Sequence, residues 1–142
     1  FGTVCGYTPF DGAEYDYYTT TKGVLEKVKA HVGDVDFAVQ PEILSLLSSG
    51  NFGRYADEKG EMKVCFISNN DITGGNSGSA MFNSKGELLG LAFDGNWEAM
   101  GSDILYEPKM QRTIGVDVRY ILFMIEKYGK AGNLIQELNI LN

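Results

Sequence analysis

The chain has 142 residues, with 19 acidic and 12 basic side chains and a net charge of −7. That acidic balance argues against nucleic-acid binding, which needs a basic surface to neutralise phosphates. No apolar run approaches the roughly 20 residues that span a bilayer, so we expect no membrane insertion. The length suits a single domain over residues 1–142, and the 18 glycines favour β structure with many tight turns.

The first part of the chain combines a strand with two helices. Alternating apolar residues predict a strand over Phe1–Tyr7, which a turn at Asp11-Gly12 follows. A short helix is predicted over residues 20–31, with a threonine as its cap. A clearer helix is predicted over residues 41–50, since proline suits the first turn and glycine the end. We interpret both helices as additions between strands.

The later part of the chain is strand-rich and ends in helices. Strands are predicted over Met62–Ser68, Ala80–Phe82, Glu87–Phe93 and Ile114–Val116, the middle two joined by a hairpin turn. Asp94-Gly95-Asn96 is expected to interrupt the pattern. Asp117 is placed to cap an amphipathic helix that Gly129 ends, and a final helical stretch follows at 133–138. The sequence therefore predicts a mainly β fold with peripheral helices and a carboxy-terminal helix.

The glycine-rich segment Thr73-Gly74-Gly75-Asn76-Ser77-Gly78-Ser79 carries the clearest chemical signal. Trypsin-like peptidases present their nucleophile as a serine between glycines, just before an apolar strand. Glycines permit a tight turn whose backbone N–H groups point at one place, where they can hold an oxyanion. Gly75 and Ser77 would supply those two groups. The alternative is a glycine-rich hairpin with no chemical role.

The sequence gives no support for a metal or another cofactor. Its single histidine, His31, and its two cysteines, Cys5 and Cys65, do not form a ligand pattern, and no carboxylate cluster has ligand spacing. The cysteines fit a disulfide or two buried thiols in neighbouring strands equally well. We therefore expect no cofactor.

Three ordered segments, 68–79, 93–98 and 112–120, resemble the carboxy-terminal part of the dipeptidyl peptidase VII and XI family. These bacterial serine exopeptidases have a trypsin-like double β-barrel with an inserted helical domain, and they remove dipeptides from free amino termini. The resemblance implies that this chain is the second β-barrel, the carboxy-terminal catalytic half-domain of a longer peptidase. It also implies a location in the periplasm or at the cell surface of a bacterium.

The resemblance implies that Ser77 is the nucleophile and that Gly75 contributes an oxyanion-hole N–H. The triad histidine and aspartate precede the serine in the trypsin-like order, and the family places both upstream of the part that this chain covers. His31 lies at a predicted helix end, where a solvated histidine is the simpler interpretation. The chain alone is therefore expected to be a poor enzyme.

Asp94 and Gly95 are the predicted substrate-binding residues. In the family an aspartate in this context helps to hold the substrate amine; the alternative is that Asp94 only caps a turn. Family members that prefer an acidic residue before the scissile bond carry arginine at the position of Gly95. Glycine at this position therefore implies a preference for an apolar residue before the scissile bond. Asp71 has the spacing of a pocket carboxylate for basic side chains, but we interpret it as satisfied by neighbouring backbone or a buried partner.

Two other functions stay open at this point. A trypsin-like endopeptidase would not need Asp94 as an amine anchor, and a degenerate barrel serving as a binding module would make Ser77 vestigial. The expected partners are peptides with a free amino terminus. The family also tends to form homodimers, and Phe123 and Met124, off the main apolar stripe of the last long helix, are the predicted contact.

Overall fold

The computed structural model describes residues 1–101 and 107–141, and the chain divides into two compact units. The first unit comprises Phe1–Thr19 and Val64–Val118, and the second Thr20–Lys63 and the described part of Arg119–Asn142. Each unit is described by itself below. The single domain over residues 1–142 stays a prediction.

Two sheets contain the strands. In chain order these are β1 (Tyr7–Phe10), β2 (Ala13–Tyr15), β3 (Tyr18–Thr20), β4 (Lys63–Ser68), β5 (Ala80–Phe82), β6 (Leu88–Gly95) and β7 (Thr113–Asp117). The first two strands form an antiparallel hairpin, and the other five form a sheet in the order β3-β4-β7-β6-β5. This order is linear, so the described strands form an open sheet and not a closed barrel.

The five-stranded sheet agrees with most of the predicted strands. β5 has the predicted bounds, and β7, predicted as a short last strand, is the central strand between β4 and β6. The prediction of a strand over Phe1–Tyr7 was wrong, because upstream of Tyr7 only Val4 forms an isolated bridge, to Ser68. The predicted interruption at Asp94 was also wrong, since β6 continues through Gly95.

Phe66 fixes the packing of the central strands. It pairs with Gly115 across β4 and β7, and its side chain is buried. A Cβ atom on Gly115 would lie 2.6 Å from Cζ of Phe66, and one on Gly90 would lie 2.9 Å from Cε1. Both glycines therefore leave the space that the ring occupies, which sets how β6 lies against β7.

The second unit contains most of the helical residues. The helices are α1 (Thr21–Ala30), α2 (Pro41–Ser48), α3 (Val118–Phe123), which a π-helical segment (Met124–Tyr128) continues, and α4 (Gly132–Gln136). The predicted helices are confirmed, and His31 is the C-cap of α1. No helix among the described residues has the length and apolar character needed to cross a membrane.

The helices of the second unit share a hydrophobic core. Its buried members are Leu47, Phe52, Tyr55, Met62 and Phe123. Phe123 is only 1% exposed, and its ring centroid lies 5.7 Å from that of Phe52 and 6.0 Å from that of Tyr55. The prediction that Phe123 forms a dimer contact was therefore wrong, since its side chain is used in this core; Met124 packs against the same cluster.

The fold class is confirmed as mainly β, with two sheets and several helices, one of them at the carboxy-terminal end. The choice left open for the cysteines is also decided, because Cys5 and Cys65 are both free thiols. Burial raises the pKa of Cys65.

Candidate active site

The loop between β4 and β5 presents Ser77 in a turn that glycine makes possible. Gly75 and Gly78 have φ angles of +95° and +85°, a region that side chains obstruct. Asn76 shapes the turn, because its carbonyl accepts a hydrogen bond from the N–H of Ser79 at 2.9 Å and its Oδ1 one from the N–H of Thr73 at 3.4 Å. The loop thus has the form that the sequence predicts.

Backbone hydrogen bonds tie this loop to strand β6. The N–H of Gly78 donates to the carbonyl of Ala92 at 2.7 Å, and the N–H of Ala92 donates to the carbonyl of Ser79 at 2.8 Å. The pairing of β6 with β7 shifts register between Ala92 and Asp94, which marks a bulge at Phe93. Ser77 Oγ donates to the carbonyl of Phe93 at 3.2 Å. The bulge thus brings a backbone acceptor to the serine hydroxyl.

The backbone N–H groups of the turn fall into two sets. Those of Asn76, Gly78 and Ser79 donate to backbone carbonyls. Those of Gly74, Gly75 and Ser77 donate to no acceptor within residues 1–101 and 107–141, and Gly75 and Ser77 are the two that the sequence predicts for an oxyanion hole. Unpaired N–H groups beside a hydroxyl are what an oxyanion hole requires.

Ser77 opens into a pocket of about 190 Å³. It is lined by Ile72, Thr73, Gly74, Ser77, Phe93, Asp94, Gly95, Asn96, Ala99 and Met100. Asp94 is the one charged side chain in this lining, as far as the described residues show. The structure therefore brings Ser77, Asp94 and Gly95 together at one pocket, with Gly75 in the adjoining turn.

Asp94 and Gly95 form the end of β6. Asp94 is exposed, and its Oδ1 accepts a hydrogen bond from the N–H of Gly95 at 2.8 Å, as expected if it stabilises the turn. Its Oδ2 accepts no hydrogen bond from the part of the chain that is described, and stays available to a ligand. At Gly95 an added Cβ atom would lie 2.9 Å from Cβ of Ala99 and 3.8 Å from Cγ2 of Ile72, so glycine keeps this wall of the pocket in its present shape.

Two residues weighed in the sequence analysis, Asp71 and His31, do not line this pocket. Asp71 is exposed and does not line the pocket, so it is not the floor of this pocket. Its satisfaction by neighbouring backbone or a buried partner stays a prediction. His31 belongs to the second unit, where its Nδ1 lies 2.9 Å from the carbonyl oxygen of Lys27 and its ring stacks on Phe37 at 4.0 Å. These local contacts agree with a histidine at a helix end.

Sequence reasoning missed the importance of Asn96. Its side chain is only 9% exposed, and it binds backbone atoms of both Met110 and Arg112. An Asp-Gly-Asn triplet has the composition of an exposed turn, so nothing local in the sequence indicates that its last residue is buried. Only its contacts with the segment just before β7 reveal it.

A serine beside unpaired N–H groups and an open pocket is typical of serine hydrolases. Residues 1–140 match the family model described as Peptidase S46. The chain therefore belongs to this family.

The relatives of this chain are named as dipeptidyl peptidases. It is 59% identical over 140 residues to Dipeptidyl-peptidase 7 of Porphyromonas endodontalis, covering 99% of this chain and 17% of the relative. It is 45% identical over 141 residues to the Asp/Glu-specific dipeptidyl-peptidase of Capnocytophaga gingivalis, covering 99% of this chain and 20% of the relative.

A solved structure shares the fold. The crystal structure of Porphyromonas endodontalis DPP11 in complex with the dipeptide Arg-Glu superposes with a TM-score of 0.89 at 43% identity. The match covers 96% of this chain and 19% of that chain. This chain therefore spans about a fifth of the length of the relatives it matches.

Proposed function

We propose that this chain is the carboxy-terminal catalytic half-domain of a longer serine dipeptidyl peptidase of the trypsin-like class. The observation that carries the proposal is the pocket that brings Ser77 beside Asp94. The names of the relatives support the same activity. The parent protein would release dipeptides from peptides with a free amino terminus.

Ser77 would act as the nucleophile. Its Oγ leaves the carbonyl of Phe93, transfers its proton to a histidine supplied by the rest of the parent protein, and attacks the carbonyl carbon after the second substrate residue. The negative charge that develops on the carbonyl oxygen is stabilised by the N–H groups of Gly75 and Ser77. The histidine then protonates the leaving amine, and water releases the dipeptide from the serine ester.

Asp94 would select the free amino terminus. A carboxylate and an ammonium group form a charge-assisted hydrogen bond, which an acylated amine cannot replace. Asp94 is suited to this because it lines the pocket and its Oδ2 accepts no hydrogen bond from the described residues. An endopeptidase would have no use for such a group.

The residue before the scissile bond would be apolar. Ile72 and Ala99 give the wall near Gly95 an apolar surface, and no cationic side chain lines the described pocket. An acidic side chain would therefore face Asp94 without a compensating charge, which is unfavourable. The parent protein would thus differ in preference from the Asp/Glu-specific relatives.

A comparison of free and blocked peptides tests the activity. The parent protein should release dipeptides from peptides with a free amino terminus and an apolar second residue, and should leave N-acetylated copies intact. Ser77→Ala should abolish release, whereas Ser79→Ala, in the same loop, should retain most of it. Equal cleavage of free and acetylated peptides would favour an endopeptidase, and no cleavage at all would favour a binding module.

Localisation and assembly are further parts of the proposal. We infer from the family resemblance that the parent protein acts in the periplasm or at the cell surface and forms a homodimer. Because Phe123 is buried in the second unit, the dimer contact must use other residues. Cell fractionation and analytical ultracentrifugation of the parent protein test these two points.

A further inference from the structure

Asn96 stands at the corner where the end of β6 meets the turn at Trp97–Gly101, and both sides of this corner line the pocket. Its backbone N–H donates to the carbonyl of Arg112, and its carbonyl accepts from the N–H of Ala99, each at 2.9 Å. The corner is therefore bonded to the chain just before β7 on one side and to the pocket wall on the other.

The side chain of Asn96 makes three more hydrogen bonds. Its Oδ1 accepts from the N–H of Arg112 at 2.8 Å, and its Nδ2 donates to the carbonyl of Met110 and to Oε2 of Glu98, both at 2.8 Å. Both amide hydrogens are thus used. An amide is the side-chain group that accepts at one atom and donates twice at the other, as this position requires.

Glu98 extends this network to the start of β1. Its Oε2 also accepts a hydrogen bond from the hydroxyl of Tyr7 at 3.1 Å. Burial raises the pKa of Tyr7, so its hydroxyl stays protonated and able to donate. The network thus connects three separate stretches of the first unit at one edge of the pocket.

We propose that Asn96 is a positioning residue for the substrate pocket, because it holds the wall formed by Gly95 and Ala99 in the geometry that binds substrate. The inference rests on the proposed function. Asn96 acts through its neighbours and takes no part in bond breaking. Its loss should therefore weaken substrate binding more than it slows the chemical step.

Asn83 provides a matched control. Its side chain also makes three hydrogen bonds: its Oδ1 accepts from the N–H groups of Lys85 and Glu87, and its Nδ2 donates to Oε2 of Glu87. It lies in the hairpin between β5 and β6 and does not line the pocket. Asn83→Ala thus removes the same number of bonds from the same unit without touching the pocket wall.

The test measures KM and kcat for release of a dipeptide with an apolar second residue by the parent protein, together with its thermal unfolding midpoint. Asn96→Ala should raise KM about tenfold, with kcat within about twofold of the wild-type value, since the bonds lost are to buried groups. Asn83→Ala should lower the unfolding midpoint and leave KM unchanged. Equal KM values for the two variants would overturn the inference.

A charge substitution at the same corner gives a second test. In Asn96→Asp a carboxylate faces Oε2 of Glu98 and the carbonyl of Met110, so KM should rise further than in Asn96→Ala. The double variant N96D/E98Q replaces one carboxylate by an amide that can donate, and it should recover part of the loss. No recovery would contradict the proposed contact.

Failure of the proposed function and failure of this inference give different results. A wild-type parent protein that releases no dipeptide would refute the proposed function and with it this inference. If Asn96→Ala does not fold, Glu98→Ala decides instead, because it removes the two bonds that Oε2 of Glu98 accepts from Asn96 and Tyr7. A raised KM in that variant supports the positioning role, and an unchanged KM overturns it.

Discussion

The two units of this chain differ in the side chains that they bury. The second unit has a cluster of apolar side chains, Leu47, Phe52, Tyr55, Met62 and Phe123, at its centre. The first unit buries a set of polar side chains in and around β7, Asn96, Gln111, Arg112, Thr113 and Asp117 among them. All the residues that line the Ser77 pocket belong to the first unit. Apolar packing thus supplies stability in one unit, and directional hydrogen bonds define the site in the other.

The largest stability effect is expected in the second unit. Phe123→Ala removes a side chain that is 1% exposed and should cost about 3–5 kcal/mol of unfolding free energy. Under conditions where the variant is folded, KM should not change, because Phe123 does not line the pocket. Denaturant unfolding and steady-state kinetics of the parent protein check both points. A large change in KM with unchanged stability would break the contrast between the units.

A smaller stability loss is expected from Gly115→Ala in the first unit. The added Cβ atom would lie 2.6 Å from Cζ of Phe66, so the ring must move, at a cost of about 1–3 kcal/mol. Phe66→Leu in the same chain should recover part of this loss. Measured unfolding free energies for the two single variants and the double variant provide the check, and strictly additive effects would show that the ring is not what resists the methyl group.

Asp94→Asn should change binding and not stability. The substitution keeps a hydrogen-bond acceptor for the N–H of Gly95 but removes the charge, so KM for peptides with a free amino terminus should rise about tenfold. The unfolding midpoint should stay within about a degree, because Asp94 is exposed. Glu87→Gln, in the hairpin, is a control for loss of one negative charge. A similar rise in KM in that control would point to net charge and not to an amine anchor.

The smallest effect is a pH dependence in the second unit. Tyr55 donates to Oε2 of Glu126 at 2.6 Å, and burial, with Glu126 next, raises the pKa of Tyr55 to about 12. Because the folded pKa exceeds the unfolded value of 10, this contribution to stability is complete below about pH 10 and is lost as the pH rises towards 12. The stability difference between wild type and Tyr55→Phe should therefore shrink over that range. A constant difference would show that Tyr55 titrates normally.

Local patterns in the sequence predicted the local features of this fold. The bounds of β5, the helix that begins at Pro41 and the turn around Ser77 all follow from the spacing of apolar residues and from the positions of glycine and proline. These signals need only neighbouring residues. They also brought Ser77 forward as a candidate nucleophile, whereas Asp94 and Gly95 became candidates only through the family resemblance.

Features that depend on pairing between distant residues were not predictable in the same way. The central position of β7, the bulge at Phe93 and the burial of Asn96 arise from contacts with strands far away in the sequence. Phe123 lies off the main apolar stripe of its helix, and only the presence of Phe52 and Tyr55 explains why it is buried. Sequence periodicity describes one face of an element and does not reveal what covers the others.

The most direct measurement is to label the parent protein with a fluorophosphonate probe and to locate the modified residue by mass spectrometry. The account predicts modification at Ser77, complete loss of labelling in Ser77→Ala and retention in Ser79→Ala. Labelling that persists in Ser77→Ala, or that maps to another serine, would contradict the assignment of Ser77 as the nucleophile.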